Sequence, residues 1–146
     1  MSWVRVWVHL VFTTKNRVPL FSSHTVREQL FNHIKQNAQS KDIWLECVNG
    51  YHDHIHCLIS LGKDHTISNV AKLIKGESSF WINKEKLIQT KFIWQDDYWA
   101  VSVSESHLEV VRNYINTQED HHQKKSFNEE VNEFMEKYGW VLVKSK

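Results

Sequence analysis

From Trp3 to Phe12 the chain alternates between two sets of side chains. Val4, Val6, Val8, Leu10 and Phe12 form one set, and Trp3, Arg5, Trp7, His9 and Val11 form the other. Successive side chains of a strand point to opposite faces, so the uniformly apolar set predicts a strand with one face on a core. Thr13 to Pro19 interrupts the alternation with the chain's one proline and reads as a loop carrying Lys15 and Arg17. Ser22 or Ser23 can cap a helix on which Val26, Leu30, Phe31 and Ile34 recur at helical spacing as far as Gln39. Ile43 to Val48 reads as a second strand, Asn49-Gly50 as a tight hairpin turn, and Tyr51 to Leu61 as a third strand. Ser68 to Lys86 has the spacing of a second helix, with Val70, Leu73, Ile74 and Ile82 on its apolar face. Short strands are expected at Phe92 to Trp94 and Tyr98 to Ser104, around the turn Gln95-Asp96-Asp97. Ser106 caps a third helix bearing Val110, Val111, Tyr114 and Ile115. A short helix from Phe127 to Lys137 and an edge strand from Trp140 to Val143 complete the pattern.

The order β-α-β-β-α-β followed by helices is the split pattern of ferredoxin-like domains: an α+β fold with an antiparallel sheet and helices packed on it. No repeat, low-complexity tract or linker divides residues 1–146, which read as a single domain. The seven Trp and seven Phe suit a folded chain with a real core. A formal net charge of +1 argues against a bulk electrostatic binder of nucleic acid, so any such affinity has to come from local patches. Cys47 and Cys57 both lie in apolar strand-like runs and read as buried, reduced thiols. Charge interrupts the apolar residues of the first segment at once, unlike a signal peptide, and no run is long enough to span a bilayer. The expected location is the cytoplasm, with no membrane partner.

The chemistry concentrates in Tyr51-His52-Asp53-His54-Ile55-His56-Cys57-Leu58-Ile59. On a strand, His52, His54 and His56 share one face, and imidazoles so placed can share a transition-metal ion. Downstream, Tyr114 and Gln118 are four residues apart on the third helix, which aims phenol and amide together. If that face meets the histidine strand, two imidazoles and an amide oxygen can surround a divalent ion beside a tyrosine hydroxyl. This mixed set leaves positions open for the oxygens of a phosphodiester. Ionising a tyrosine of pKa near 10 at neutral pH costs on the order of 4 kcal/mol, so a nearby cation or base has to help.

These residues resemble a known family. His54-Ile55-His56 looks like the HUH motif, two histidines flanking a bulky apolar residue. Tyr114 with Gln118 looks like the nucleophile and third metal ligand of the single-tyrosine transposases of small bacterial insertion sequences, and of the similar REP-associated tyrosine transposases. The resemblance extends over the first strand and its Lys15-Asn16-Arg17-Val18-Pro19 loop, the block from Trp94 to Ser104, and Tyr114 to His122. It implies the HUH motif on a central strand and the tyrosine on a C-terminal helix. It further implies a divalent metal, Mg²⁺ or Mn²⁺, held by His54, His56 and Gln118. Tyr114 would attack single-stranded DNA at hairpin-marked element ends through a 5′-phosphotyrosine link, in a homodimer. Where relatives carry a proline-aspartate pair before the first motif histidine, this chain has His52-Asp53, which leaves His52 as an extra group on the motif face or at a strand end.

Plainer readings stand beside these. His54 and His56 could be hydrogen-bonded sheet histidines, Tyr114 a core tyrosine and Gln118 a solvated one. His9 reads as structural, and His121-His122 as cations at a helix C-terminus. Lys15, Arg17, Lys72 and Lys75 are candidates for contacts to a DNA backbone. Trp3, Trp7 and Trp99 are candidates for stacking on unpaired bases or for core and interface packing. Two other functions remain open: a domesticated relative that binds hairpin DNA or RNA without transposing, and a small metal-dependent hydrolase using His52, His54 and His56.

Overall fold

The computed structural model describes residues 1–122, 129–130 and 132–133. Within them the chain forms β1 (Val6–Thr13), α1 (His24–Ser40), β2 (Trp44–Gly50), β3 (His54–Leu61), α2 (Ile67–Lys84), β4 (Trp99–Val103), α3 (Leu108–Asn116) and α4 (Gln118–His122). The four strands make one antiparallel sheet in the order β2-β3-β1-β4, with the histidine strand in its interior beside β1. This is the α+β, ferredoxin-like arrangement that the element order predicts.

The sheet is covered on both faces. Leu10 and Phe12 of β1 and Ile55, Cys57 and Ile59 of β3 bury one face against α1 and α2, through Leu30, Ile34, Val70, Ala71 and Ile74. Trp7 and Leu58, from the opposite face, pack with Cys47 and Val103 under Leu108, Val111 and Ile115 of α3. The second set of β1 is therefore buried as well, because a helix distant in sequence returns to cover it. Ser23 caps α1 by accepting from the Val26 N–H, and Thr66 caps α2 through the Asn69 N–H. A bulge between Leu45 and Cys47 shifts the register of β2, which is how these two residues serve opposite faces.

Several boundaries depart from the sequence pattern. β1 starts at Val6, with Trp3 and Val4 exposed before it. Phe92 to Trp94 contributes an isolated bridge, Thr14 to Trp94, in place of a strand. Asn49-Gly50 is not the hairpin turn: β2 runs through it, with Asn49 opposite His56 and Gly50 opposite Ile55, and Tyr51 to Asp53 make the turn. Gly50 is needed for close approach, since a Cβ there would lie 2.1 Å from the His54 carbonyl oxygen. The helix over Phe127 to Lys137 and the strand over Trp140 to Val143 lie largely or wholly outside the described residues. Glu129, Glu130, Asn132 and Glu133 are helical.

Candidate active site

Antiparallel pairing sets the first part of the site. His54 lies opposite Thr13 and His56 opposite Val11, and both imidazoles emerge on the face that α3 covers. Both are buried, as is His9 on the neighbouring strand. His52 is not with them, because it falls in the turn rather than on β3, and its ring stacks on Tyr51 at 4.0 Å. A strand-borne three-histidine site is thereby excluded. Backbone bonds from Thr14 N–H to the Asp53 carbonyl and from Phe21 N–H to the His52 carbonyl, each 2.8 Å, hold that turn.

Each motif histidine is held by one nitrogen. His54 Nδ1 is 2.8 Å from Asp53 Oδ1, and His56 Nδ1 is 2.8 Å from His9 Nε2. A proton on each Nδ1 turns Nε2 inward, His54 toward Gln118 and Glu130 and His56 toward Glu130, and in the neutral ring that nitrogen has a lone pair to offer. Burial, followed by the neighbouring His56, pushes the pKa of His9 well below its ordinary value, so His9 is neutral and can accept from His56. Burial opposes charge on His54, but hydrogen bonds to Asp53 and Glu130 outweigh it and lift its pKa to about 9.

The second part comes from the C-terminal helices. Thr117 breaks the helix between Tyr114 and Gln118, its hydroxyl bonding back to the Asn113 carbonyl at 2.8 Å. Gln118, fully buried, donates through Nε2 to the Tyr114 carbonyl, which turns Oε1 to within 3.1 Å of His54 Nε2. The Tyr114 ring meets His56 edge-on at 5.7 Å. The structure thus brings together Tyr114, His54, His56 and Gln118. The donor set, two imidazole nitrogens and an amide oxygen with oriented outer partners, fits a divalent ion.

Glu130 is the residue that sequence reasoning missed. It is buried, with Oε1 2.9 Å from His56 Nε2 and Oε2 3.4 Å from His54 Nε2, and it accepts from the Tyr114 hydroxyl. Burial and the Glu130 charge together drive the Tyr114 pKa far above its usual range. One sequence signal pointed to Glu130: it follows Phe127 by three residues and precedes Phe134 by four, which sets a carboxylate on the apolar stripe of the expected helix.

The cations scatter. Lys15 and Arg17 occupy a short 3₁₀ turn just after β1, with Lys15 exposed and Arg17 half-buried. Lys72 is exposed on α2, the helix that packs on the opposite face of the sheet from Tyr114. Lys75 donates to the carbonyls of Gln95 and Asp96 at 2.6 and 2.9 Å and so braces the loop before β4. Trp7 is core, Trp99 half-buried and Trp3 exposed. The side chains of His121 and His122 lie outside what the structure describes. No helix among the described residues is long and apolar enough to cross a membrane.

Comparison with known proteins follows the same lines. The family described as IS200-like transposases matches residues 2–118. A solved structure of a candidate transposase from Deinococcus radiodurans R1 is similar with a TM-score of 0.64 and 21% identity, covering 80% of this chain and 93% of the other. A REP-associated tyrosine transposase bound to a REP hairpin is similar with a TM-score of 0.56 and 16% identity, over 97% of this chain and 73% of that one. Among curated proteins there is no significant match.

Proposed function

The chain belongs to the IS200-like transposase family, and from that premise we propose that it cuts and rejoins single-stranded DNA with Tyr114 as the nucleophile. The observation that carries the reading is convergence. The Tyr114 ring lies against His56, while Gln118 Oε1 and the Nε2 atoms of both motif histidines turn to the same point. His54, His56 and Gln118 would hold a divalent ion, Mg²⁺ or Mn²⁺. That ion would draw charge from the scissile phosphate and favour attack at phosphorus.

In the proposed step the Tyr114 oxygen bonds to phosphorus and the bond to the 3′ oxygen breaks. This leaves a 5′-phosphotyrosine and a free 3′-OH: the phenolic proton passes to a nearby base, and the departing 3′ oxygen takes up a proton in its place. A second 3′-OH reverses the step on another strand, so the phosphodiester energy is conserved without a nucleotide cofactor. The half-buried Tyr114 hydroxyl, held by Glu130, resists ionisation, which makes assistance from the site a requirement of the reaction. Hairpin-marked ends are the proposed substrate, supported by the similar fold of the REP-associated relative bound to a REP hairpin. A homodimer is the proposed working form. Lys15 and Arg17, on the turn directly after the β1 residue that pairs with His54, are the proposed backbone contacts nearest the site, with Lys72 and Lys75 more distant.

The test is incubation with single-stranded hairpin oligonucleotides and Mn²⁺ or Mg²⁺, read by denaturing electrophoresis and peptide mass spectrometry. A covalent DNA adduct on Tyr114 is expected, lost with EDTA and in Tyr114→Phe. Hairpin binding with no adduct on any tested end would replace this reading with a binding protein.

A further inference from the structure

The proposed reaction leaves one group at its centre without a task. Glu130 returns to the site from beyond α4, sixteen residues after Tyr114, and is 3% exposed. Its two oxygens divide between the motif histidines, Oε1 toward His56 Nε2 at 2.9 Å and Oε2 toward His54 Nε2 at 3.4 Å. A buried carboxylate is costly unless positive charge or several donors compensate it. Here the outer nitrogens of both histidines are already engaged by Asp53 and His9, so it is their inner nitrogens that meet Glu130.

We propose that Glu130 is a further metal ligand of this site, a carboxylate donor completing a set of two imidazoles and two oxygens with His54, His56 and Gln118. The inference rests on the function proposed above. His54, His56 and Glu130 can each offer a ligand atom, all within 4.8 Å of one another. Three neutral ligands give no formal charge to offset a divalent ion, and Glu130 adds one negative charge where both imidazoles point. Carboxylate and amide oxygens favour Mg²⁺ and Mn²⁺, while imidazoles admit the later transition ions. The site therefore binds Mn²⁺ in the absence of DNA. The Tyr114 hydroxyl, which donates to the same carboxylate, then lies beside the ion's ligand shell.

The experiment is calorimetric titration of the full chain with MnCl₂ alone, for wild type, Glu130→Gln and Glu129→Gln. Glu129→Gln removes an equal charge from an exposed neighbouring side chain. Glu130→Gln is expected to weaken Mn²⁺ binding at least about tenfold, as loss of a metal partner does, with Glu129→Gln near wild type. Equal affinity in Glu130→Gln, or equal losses in both variants, would overturn the assignment. A measurement free of variants accompanies it: electron–nuclear double resonance on Mn²⁺-loaded wild type carrying ¹³C-glutamate. A directly bound carboxylate coupling is expected, and its absence overturns the proposal. Because neither readout uses DNA, failure of the Tyr114 adduct assay would count against the strand-transfer reading and leave the ligand question answered separately.

Discussion

His9 and Asp53 govern the motif histidines from behind. Each holds the outer nitrogen of one ring at 2.8 Å, which fixes the ring's rotation and the nitrogen it presents. His9→Ala and Asp53→Asn should therefore weaken Mn²⁺ binding by about 10- to 100-fold while leaving every proposed ligand in place. Calorimetry would read this, and a fall of less than about twofold in both would show that the rings are held by packing alone. At this scale the sequence was informative where the spacing was local. His54 and His56, two apart, carry their geometry in the numbering, and Tyr114 and Gln118, four apart, carry most of theirs although Thr117 divides them between α3 and α4. His9 and Glu130 do not, because strand pairing across 47 residues and a helical return bring them in. His52 misleads for the converse reason: the alternation continues through it, but the strand does not begin until His54.

The elements are joined to the site by a few polar clamps. Arg27, buried at the start of α1, donates to the Phe21 carbonyl at 2.6 Å and to Glu119 at 2.8 Å. His24 lies 2.8 Å from the same carboxylate, so the residue next to Gln118 is tethered to α1. Arg27→Ala should cost about 1–3 kcal/mol in urea unfolding and also lower Mn²⁺ affinity, since α4 loses its anchor. Stability loss without any change in metal binding would count against the clamp. Hydrogen bonds from Arg27 and His24 hold the Glu119 carboxyl below its ordinary value, so this contribution is present above the usual carboxylate range and is lost as pH falls through the lowered value. Amide exchange protection of residues 118–122 should accordingly persist to mildly acid pH and decay below it. Gly50 is a second control point. Gly50→Ala drives a methyl group into the His54 backbone and should cost about 3 kcal/mol while displacing the first motif histidine. The glycine itself was conspicuous in the sequence, but its role was not: a turn glycine and a close-approach glycine look alike until strand register is known.

At the scale of the molecule, two apolar layers of unequal size flank one sheet. The layer under α1 and α2 is the larger and includes Phe12, Phe21, Phe92 and Trp94, while α3 is held by a smaller group around Leu58, Val111 and Ile115. The element order was enough to place α1 and α2. That the other face is also closed depends on α3 folding back over Trp7 and His9, which no local pattern announces. The unequal layers imply unequal stability, with α3 and α4 opening at lower free energy than β1 and β3. The proposed ligands straddle that boundary: His54 and His56 belong to the sheet, Gln118 and Glu130 to the C-terminal helices. A bound ion would therefore staple the weaker part to the stronger. At a free Mn²⁺ concentration 100 times Kd the linkage is worth about 2.7 kcal/mol. Hydrogen exchange of Val111 to Gln118 should slow by up to about 100-fold on adding Mn²⁺, while α1 and α2 stay near their metal-free rates. Uniform slowing would mean that the layers open together. No slowing at saturating Mn²⁺ would mean that the ion is held by the sheet histidines alone, without the helices that carry Tyr114.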